Sequence, residues 1–221
     1  MEPERQTRVI CTLCGSGAAK PIEPPAYFHC RDCDLRFLDP VRHLTPDLEK
    51  PRYEMHENKY EDPAYRRFLS AISSPLLERL PQGSLGLDFG SGPSPVLARI
   101  LTEGGLPTEV YDPYFANDAD KLKTRYDFVV SSEAIEHFYR PGEEFKKLKN
   151  LVKPGGLLAV MTHIYQDGID FQDWYYRRDP THVAFYSAKT LAWICEGFGF
   201  ATLEILGPRV ALFCAPRPAN V

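Results

Sequence analysis

Leu85-Gly86-Leu87-Asp88-Phe89-Gly90-Ser91-Gly92-Pro93 is the stretch from which the rest of this 221-residue chain can be read. Leu85, Leu87 and Phe89 alternate with smaller or polar residues and then stop at two closely spaced glycines, the pattern of a buried strand running into a tight loop. Glycines suit such a loop because a side chain would hold the backbone off a ligand, and because positive φ is cheap only for glycine. After it, Pro95-Val96-Leu97-Ala98-Arg99-Ile100-Leu101 carries apolar residues at helical spacing, and a helix N-terminus there would present free N–H groups. Asp112 lies 20 residues beyond Gly92, at the tip of a short strand Glu109-Val110-Tyr111. A carboxylate so placed can accept two hydrogen bonds from a ribose diol. Together the residues imply an adenosyl cofactor.

Further strands are expected at Tyr126–Ser131, Leu157–Thr162, Thr202–Leu206 and Ala211–Cys214. Helical stretches join most of them, which makes the sheet mainly parallel and doubly wound. The last two are joined by four residues, too few for a parallel crossover, so they form an antiparallel hairpin. Only 14 residues separate Asp112 from Asp127, about half of what a helix, strand and helix require. A third strand is therefore expected to be stunted or absent. Ser187 is placed to cap a last helix with Leu191, Ile194 and Cys195 on its core face, and Cys195 and Cys214 read as small core residues rather than nucleophiles.

Upstream, Cys11-Thr12-Leu13-Cys14 and Cys30-Arg31-Asp32-Cys33 are two Cys-x2-Cys units separated by 15 residues. Each places two thiolates on one turn, and two such turns complete the tetrahedral S4 shell that Zn²⁺ accepts. A closed shell leaves no open position, which favours a structural staple over a substrate-binding surface. Residues 1–50 carry seven Lys/Arg against eight Asp/Glu, and the metal centre itself adds negative charge, so a ribbon that grips RNA is disfavoured. Pro40, Pro46 and Pro51 punctuate what reads as a connector. A helix starts at Asp62-Pro63, with Asp62 as cap, and Pro75 is expected to break or kink it. His56 and Tyr60 are candidates for a lid. The expected units are a zinc ribbon over 1–45, a linker and lid helix over 46–82, and an α/β domain over 83–221.

Composition narrows the partners. The net charge of −4 argues against a protein that holds nucleic acid through counterion release. There is no run of about 18 apolar residues and no export signal at the N-terminus, so a soluble cytoplasmic protein is expected. In that setting six cysteines point to metal rather than disulfides.

Taken in order, Leu87–Gly92, Tyr111-Asp112, Tyr126–Phe138 and Leu151–Leu158 resemble the successive motifs of class I S-adenosylmethionine-dependent methyltransferases over residues 84 to about 215. The segment His182–Phe200 is similar to the last-helix region of the branch that includes quinone-biosynthesis and sugar methyltransferases. The resemblance implies a Rossmann-like fold and S-adenosyl-L-methionine as cofactor. It also implies that Asp88 orients the loop, Gly90, Ser91 and Gly92 admit the methionine portion, Asp112 binds the ribose, and Ser132 and Glu133 border the cofactor. The third loop glycine of the family is Ser94 here, and an adenine-contacting residue is not evident beyond Asp118 or Asp120. His137, His163 and His182 fall at carboxyl ends of strands or in the aromatic loop 170–182, and His182, then His137, is the candidate base. A structural imidazole is an equally good reading of each. Arg177 and Arg178 are candidates for an anionic substrate group or for ion pairs with Asp173 or Asp179.

The expected activity is methyl transfer to a small hydroxyl or amine acceptor. The alternatives are an RNA or protein methyltransferase that uses the ribbon for recognition, an NAD-dependent oxidoreductase, which Pro95 in place of the third fingerprint glycine disfavours, and a non-enzymatic zinc adaptor.

Overall fold

The structure, a computed structural model, describes residues 9–22, 26–55 and 58–218. Its centre is a six-stranded sheet of β4 (Gly86–Phe89), β5 (Thr108–Tyr111), β6 (Tyr126–Ser132), β7 (Val152–Met161), β9 (Thr202–Leu206) and β10 (Val210–Cys214). Their spatial order is β5-β4-β6-β7-β10-β9. The first four are parallel, and β10 lies antiparallel to both β7 and β9. The expected terminal hairpin is therefore present. So is the expected gap: between Asp112 and Tyr126 the chain makes one bridge, Asp112 to Ala116, and a 3-10 turn over Ala119–Lys123, with no strand outside β5.

Side chains alternate across the sheet as the period of two requires. Leu158 and Val160 face one apolar cluster, which α4 (Pro141–Leu151) and α5 (Ala188–Gly197) cover through Phe145, Leu148, Leu191 and Ile194. Ala159 and Met161 face the other, covered by α2 (Pro63–Arg79) and α3 (Val96–Glu103) through Leu69, Ile72, Leu76, Leu97 and Leu101. Asp62 caps α2 as expected, accepting the Ala64 amide at 2.8 Å. The helix runs unbroken through Pro75, contrary to the expected break, because Leu69, Ile72 and Leu76 on both sides of it are fully buried against the sheet. Ser187 and Thr190 form a capping box on α5. Residues 153–156 lie within β7, whose register with β6 jumps from Tyr126↔Val152 to Phe128↔Leu157.

A second sheet contains β1 (Ala19–Ile22), β2 (Tyr27–Cys30), β3 (Arg36–Leu38) and β8 (Ala184–Phe185), all antiparallel. Three strands come from the cysteine-rich end, and the fourth directly follows the aromatic loop 170–182, which forms one wall of the cavity described below. Cys11, Cys30, Cys33 and Phe37 accordingly pack in the same cluster as Phe145 and Tyr186. The stretch read as a connector holds a helix, α1 (Pro46–Glu54), with Pro46 at its first turn. Proline there costs no helical hydrogen bond, so the residue that suggested a loop starts a helix. His56 lies outside the described residues, and Tyr60 packs on α2 and α3, its hydroxyl on Glu103 and its ring under Arg66 and Arg99.

Candidate functional site

At the carboxyl ends of β4, β5 and β6 the chain encloses a cavity of about 820 Å³. Gly90 and Gly92 have φ of 78° and 67°, and a Cβ on Gly90 would meet the Ala134 Cβ at 2.8 Å. The turn is held from β5: the Gly90 amide donates to the Tyr111 carbonyl at 2.8 Å, and the Gly92 amide donates to Asp112 Oδ2 at 2.9 Å. Asp112 Oδ1 accepts the amides of Tyr114 at 2.8 Å and Phe115 at 3.1 Å. One buried carboxylate thus fastens the glycine turn to the segment that replaces the missing strand.

Gly90, Ser91, Gly92, Asp112, Ser132 and Glu133 all line the cavity. Asp88 does not: it is buried beneath the loop, where loss of hydration raises its carboxyl to about 7, partly offset by the Ala98 amide. Asp118 caps its own 3-10 turn and Asp120 pairs with Lys123 at 2.6 Å, so neither reaches the cavity. Glu133 adopts φ of 47°, and its carboxylate meets Arg209 at 3.3 Å. Burial and the neighbouring Glu136 push Glu133 up to about 8.

Beyond the glycine turn stands a polar cluster that the sequence only partly revealed. Glu136 is fully buried on a 3-10 turn after β6, and burial raises its carboxyl. The Tyr176 hydroxyl donates to its Oε1 and lies 3.0 Å from Thr162 Oγ1. His137 Nδ1 is 3.0 Å from the Thr181 carbonyl, His182 Nδ1 is 2.6 Å from the Tyr176 carbonyl, and the two rings meet edge to face at 4.8 Å. Burial lowers His182 and favours its neutral form. His163 stands apart, with Tyr175 on its Nδ1, and is not part of the lining. Arg177 stacks over Tyr27 at 4.4 Å and donates to the carbonyls of Phe171 and Gln172, while Arg178 donates to the Asp173 carbonyl. Neither lines the cavity.

The outer side of the cavity is closed by α1. Glu49, buried, accepts hydroxyls from Tyr53 at 2.5 Å and Tyr114 at 2.7 Å. Neither Glu49 nor Tyr53 was evident as a site residue, because the three prolines nearby concealed the helix that carries them. Glu136 stood in plain view beside His137, yet its burial follows only from the packing of Tyr176 over it.

The four N-terminal cysteines converge. Their sulfurs lie within 4.8 Å of one another, with Cys11 to Cys33 and Cys14 to Cys30 both at 3.5 Å. Four Zn–S bonds of about 2.3 Å would space sulfurs by about 3.8 Å, so the cluster is of a size to hold the ion. Asp34, next to the second knuckle, accepts His29 Nε2 at 2.7 Å and the Ser187 hydroxyl at 2.5 Å, which ties the knuckle to the α5 cap.

Comparison with known proteins gives a family, a curated relative and two solved structures. Residues 59–205 match a family described as a methyltransferase domain. A ubiquinone biosynthesis O-methyltransferase of Photorhabdus laumondii is 32% identical over 77 residues, which are 35% of this chain and 32% of that protein. Among solved structures, phosphoethanolamine N-methyltransferase 2 of Haemonchus contortus, in complex with S-adenosyl-L-methionine, aligns with a TM-score of 0.57 at 16% identity, covering 78% of this chain and 57% of that one. An O-methyltransferase family protein of Burkholderia thailandensis aligns with a TM-score of 0.51 at 16% identity, covering 76% and 63%. The alignment thus spans about a third of the curated relative's length, and the two structures share the fold.

Proposed function

This chain belongs to the methyltransferase domain family, and from that premise we propose that it transfers the methyl group of S-adenosyl-L-methionine to a hydroxyl or amine of a small molecule. The observation that carries the proposal is the bare Gly90–Gly92 turn with the Asp112 carboxylate beside it, both open to a cavity large enough for a nucleoside and an acceptor. In this reading the Asp112 carboxylate takes the ribose hydroxyls, Gly90, Ser91 and Gly92 lie against the methionine portion, and Ser132 and Glu133 border the cofactor. Asp88 acts from below by shaping the loop.

The cavity also suits the cofactor's charge. Arg140 and Lys147 in its lining are paired with Glu143 and Glu144, and Glu49, Asp112 and Asp179 add further carboxyl groups, an acidic balance that favours a sulfonium cation. Methyl transfer is an in-line displacement: the acceptor oxygen or nitrogen bonds to the methyl carbon as the carbon–sulfur bond breaks. That bond's electron pair returns to sulfur, which becomes a neutral thioether. The protein supplies alignment and exclusion of water, and the acceptor's proton must leave. In this reading His182 and His137, which line the cavity, act on the acceptor as proton acceptors or as ligands of an ion that acidifies it. The name of the Photorhabdus relative, an O-methyltransferase, supports an oxygen acceptor.

We assign Cys11, Cys14, Cys30 and Cys33 to one structural Zn²⁺, which would brace the sheet that ends in β8 and so the wall behind His182. Reduced thiols suit a cytoplasmic setting. No helix among the described residues is long and apolar enough to cross a membrane. Incubation with S-adenosyl-L-methionine labelled in its methyl group and a metabolite extract tests the proposal. A labelled small molecule is the expected product; label found only in protein or RNA would overturn the choice of acceptor.

A further inference from the structure

The inner end of the cavity holds a donor set that the transfer itself does not require. Glu136 and His137 are adjacent on the turn after β6, His182 arrives from the wall loop, and one ligand atom from each lies within 4.8 Å of the others. Three features of this set go beyond proximity.

The first is tautomeric. Each imidazole holds its Nδ1 against a backbone carbonyl, Thr181 for His137 and Tyr176 for His182. A carbonyl only accepts, so in the neutral ring Nδ1 carries the hydrogen and the lone pair resides on Nε2. Fixing the far nitrogen on a carbonyl is how metal-binding histidines are oriented. The second is an unmet carboxylate oxygen. Glu136 is fully buried; its Oε1 takes the Tyr176 hydroxyl, and its Oε2 has no hydrogen-bond partner among the described residues. A buried carboxylate oxygen left bare is costly, and a cation in front of it would remove that cost. The third is rigidity. Tyr176 is itself buried and bridges Glu136 to Thr162, so the carboxylate is held in place before anything binds.

We infer that Glu136, His137 and His182 form a site for a divalent cation of the Mn²⁺, Fe²⁺, Co²⁺ or Zn²⁺ type at the inner end of the cavity. Two imidazole nitrogens and one carboxylate oxygen are the donors such ions take, and three protein ligands leave positions open toward the cavity. The site differs in chemistry from the four thiolates of the N-terminal cluster, which lie outside the cavity lining. The ion's task rests on the methyl-transfer reading: an open position would take the acceptor's hydroxyl oxygen, align it with the methyl group and make its proton easier to lose to water. The two imidazoles would then be ligands rather than bases, and the acceptor an oxygen compound.

Manganese binding tests the site without any turnover. Mn²⁺ added to the full chain is followed by loss of the free-ion signal in electron paramagnetic resonance, with calorimetry of S-adenosylhomocysteine on the same samples. The expected result is one Mn²⁺ per chain, with affinity falling at least tenfold in His182→Ala and Glu136→Gln. In case a variant does not fold, the bound ion in the wild-type chain is examined by electron spin-echo modulation, which should show coupling to imidazole nitrogen. No binding up to millimolar Mn²⁺, no nitrogen coupling, or wild-type affinity in both folded variants would overturn the site. Mn²⁺ bound without S-adenosylhomocysteine binding would leave the site standing and sink the methyl-transfer reading; the converse would sink the site alone.

Discussion

The amide of Gly92 and the carboxylate of Asp112 are joined by a 2.9 Å hydrogen bond across 20 residues of chain. Because the other oxygen of Asp112 holds the amides of Tyr114 and Phe115, one side chain fixes the cofactor turn and the segment where a third strand is lacking. The residue nominated for the ribose is therefore also the clasp of the loop. Any variant at this position changes both, and the two effects must be read separately.

Asp112→Ala is expected to weaken S-adenosylhomocysteine binding by about 1–3 kcal/mol and to lower thermal stability as well, since three amides lose their acceptor. Asp112→Asn keeps one oxygen for those amides and should separate the effects, with a smaller loss of stability than of affinity. Calorimetry and thermal melts read the two quantities. Equal affinity in all three proteins would place the ribose elsewhere.

Gly90→Ala tests the bare turn. The φ of 78° and the 2.8 Å approach to the Ala134 Cβ both oppose a side chain, and the strain is expected to cost roughly 1–3 kcal/mol of stability and to impair cofactor binding. Urea unfolding measures the first and calorimetry the second. A variant as stable as the parent and binding as tightly would show that the turn tolerates a methyl group and does not lie against a ligand.

Cys30→Ser is expected to remove the zinc and to be felt far from the knuckle. The strand that follows the second cysteine pair, β3, is hydrogen-bonded to β8, and Asp34 grips the Ser187 cap of α5. Elemental analysis should show metal lost in this variant. Proteolysis should show new cleavage in the wall loop around residues 170–182. Full metal content would contradict the four-thiolate assignment, and an intact wall would contradict its dependence on the ribbon.

Why parts of this architecture were legible in the sequence, and others not, follows from the range of the interactions. The glycine turn, the terminal hairpin, the short span after Asp112, the Asp62 and Ser187 caps and the paired cysteines are local patterns, and local geometry determines them. What the sequence hid depends on contacts between distant segments. Pro46 and Pro51 suggested a connector, yet proline at a first turn starts a helix, and α1 is held by Glu49 meeting Tyr114 from 65 residues away. Pro75 was tolerated because burial on either side outweighs one missing amide. The antiparallel addition of β8 to the ribbon joins residues almost 150 positions apart, beyond any periodicity. His137 and His182 were readable as candidates, but the carbonyls that fix them and the burial of Glu136 beside them exist only in the packed chain.

Asp88 gives a pH signature. Burial raises its carboxyl from 3.8 to about 7, so between those values the folded chain holds a proton that the unfolded chain has released. The contribution is fully present below about pH 4 and is lost as pH rises through about 7, by roughly a few kcal/mol. Asp88→Asn cannot ionise. The difference in stability between variant and parent, from denaturant unfolding at a series of pH values, should move in the variant's favour from pH 4 to 7 and level off above. Curves that stay parallel across that range would mean that Asp88 is ionised in the folded chain like any exposed aspartate.

The central claim is that the crevice above Gly90–Gly92 receives an adenosyl sulfonium cofactor, and calorimetric titration of the wild-type chain with S-adenosylhomocysteine reaches it most directly. One molecule bound per chain, with binding weakened in Asp112→Ala, is the predicted result. No heat of binding under conditions where the protein is folded, or heat with NAD in place of S-adenosylhomocysteine, would contradict it.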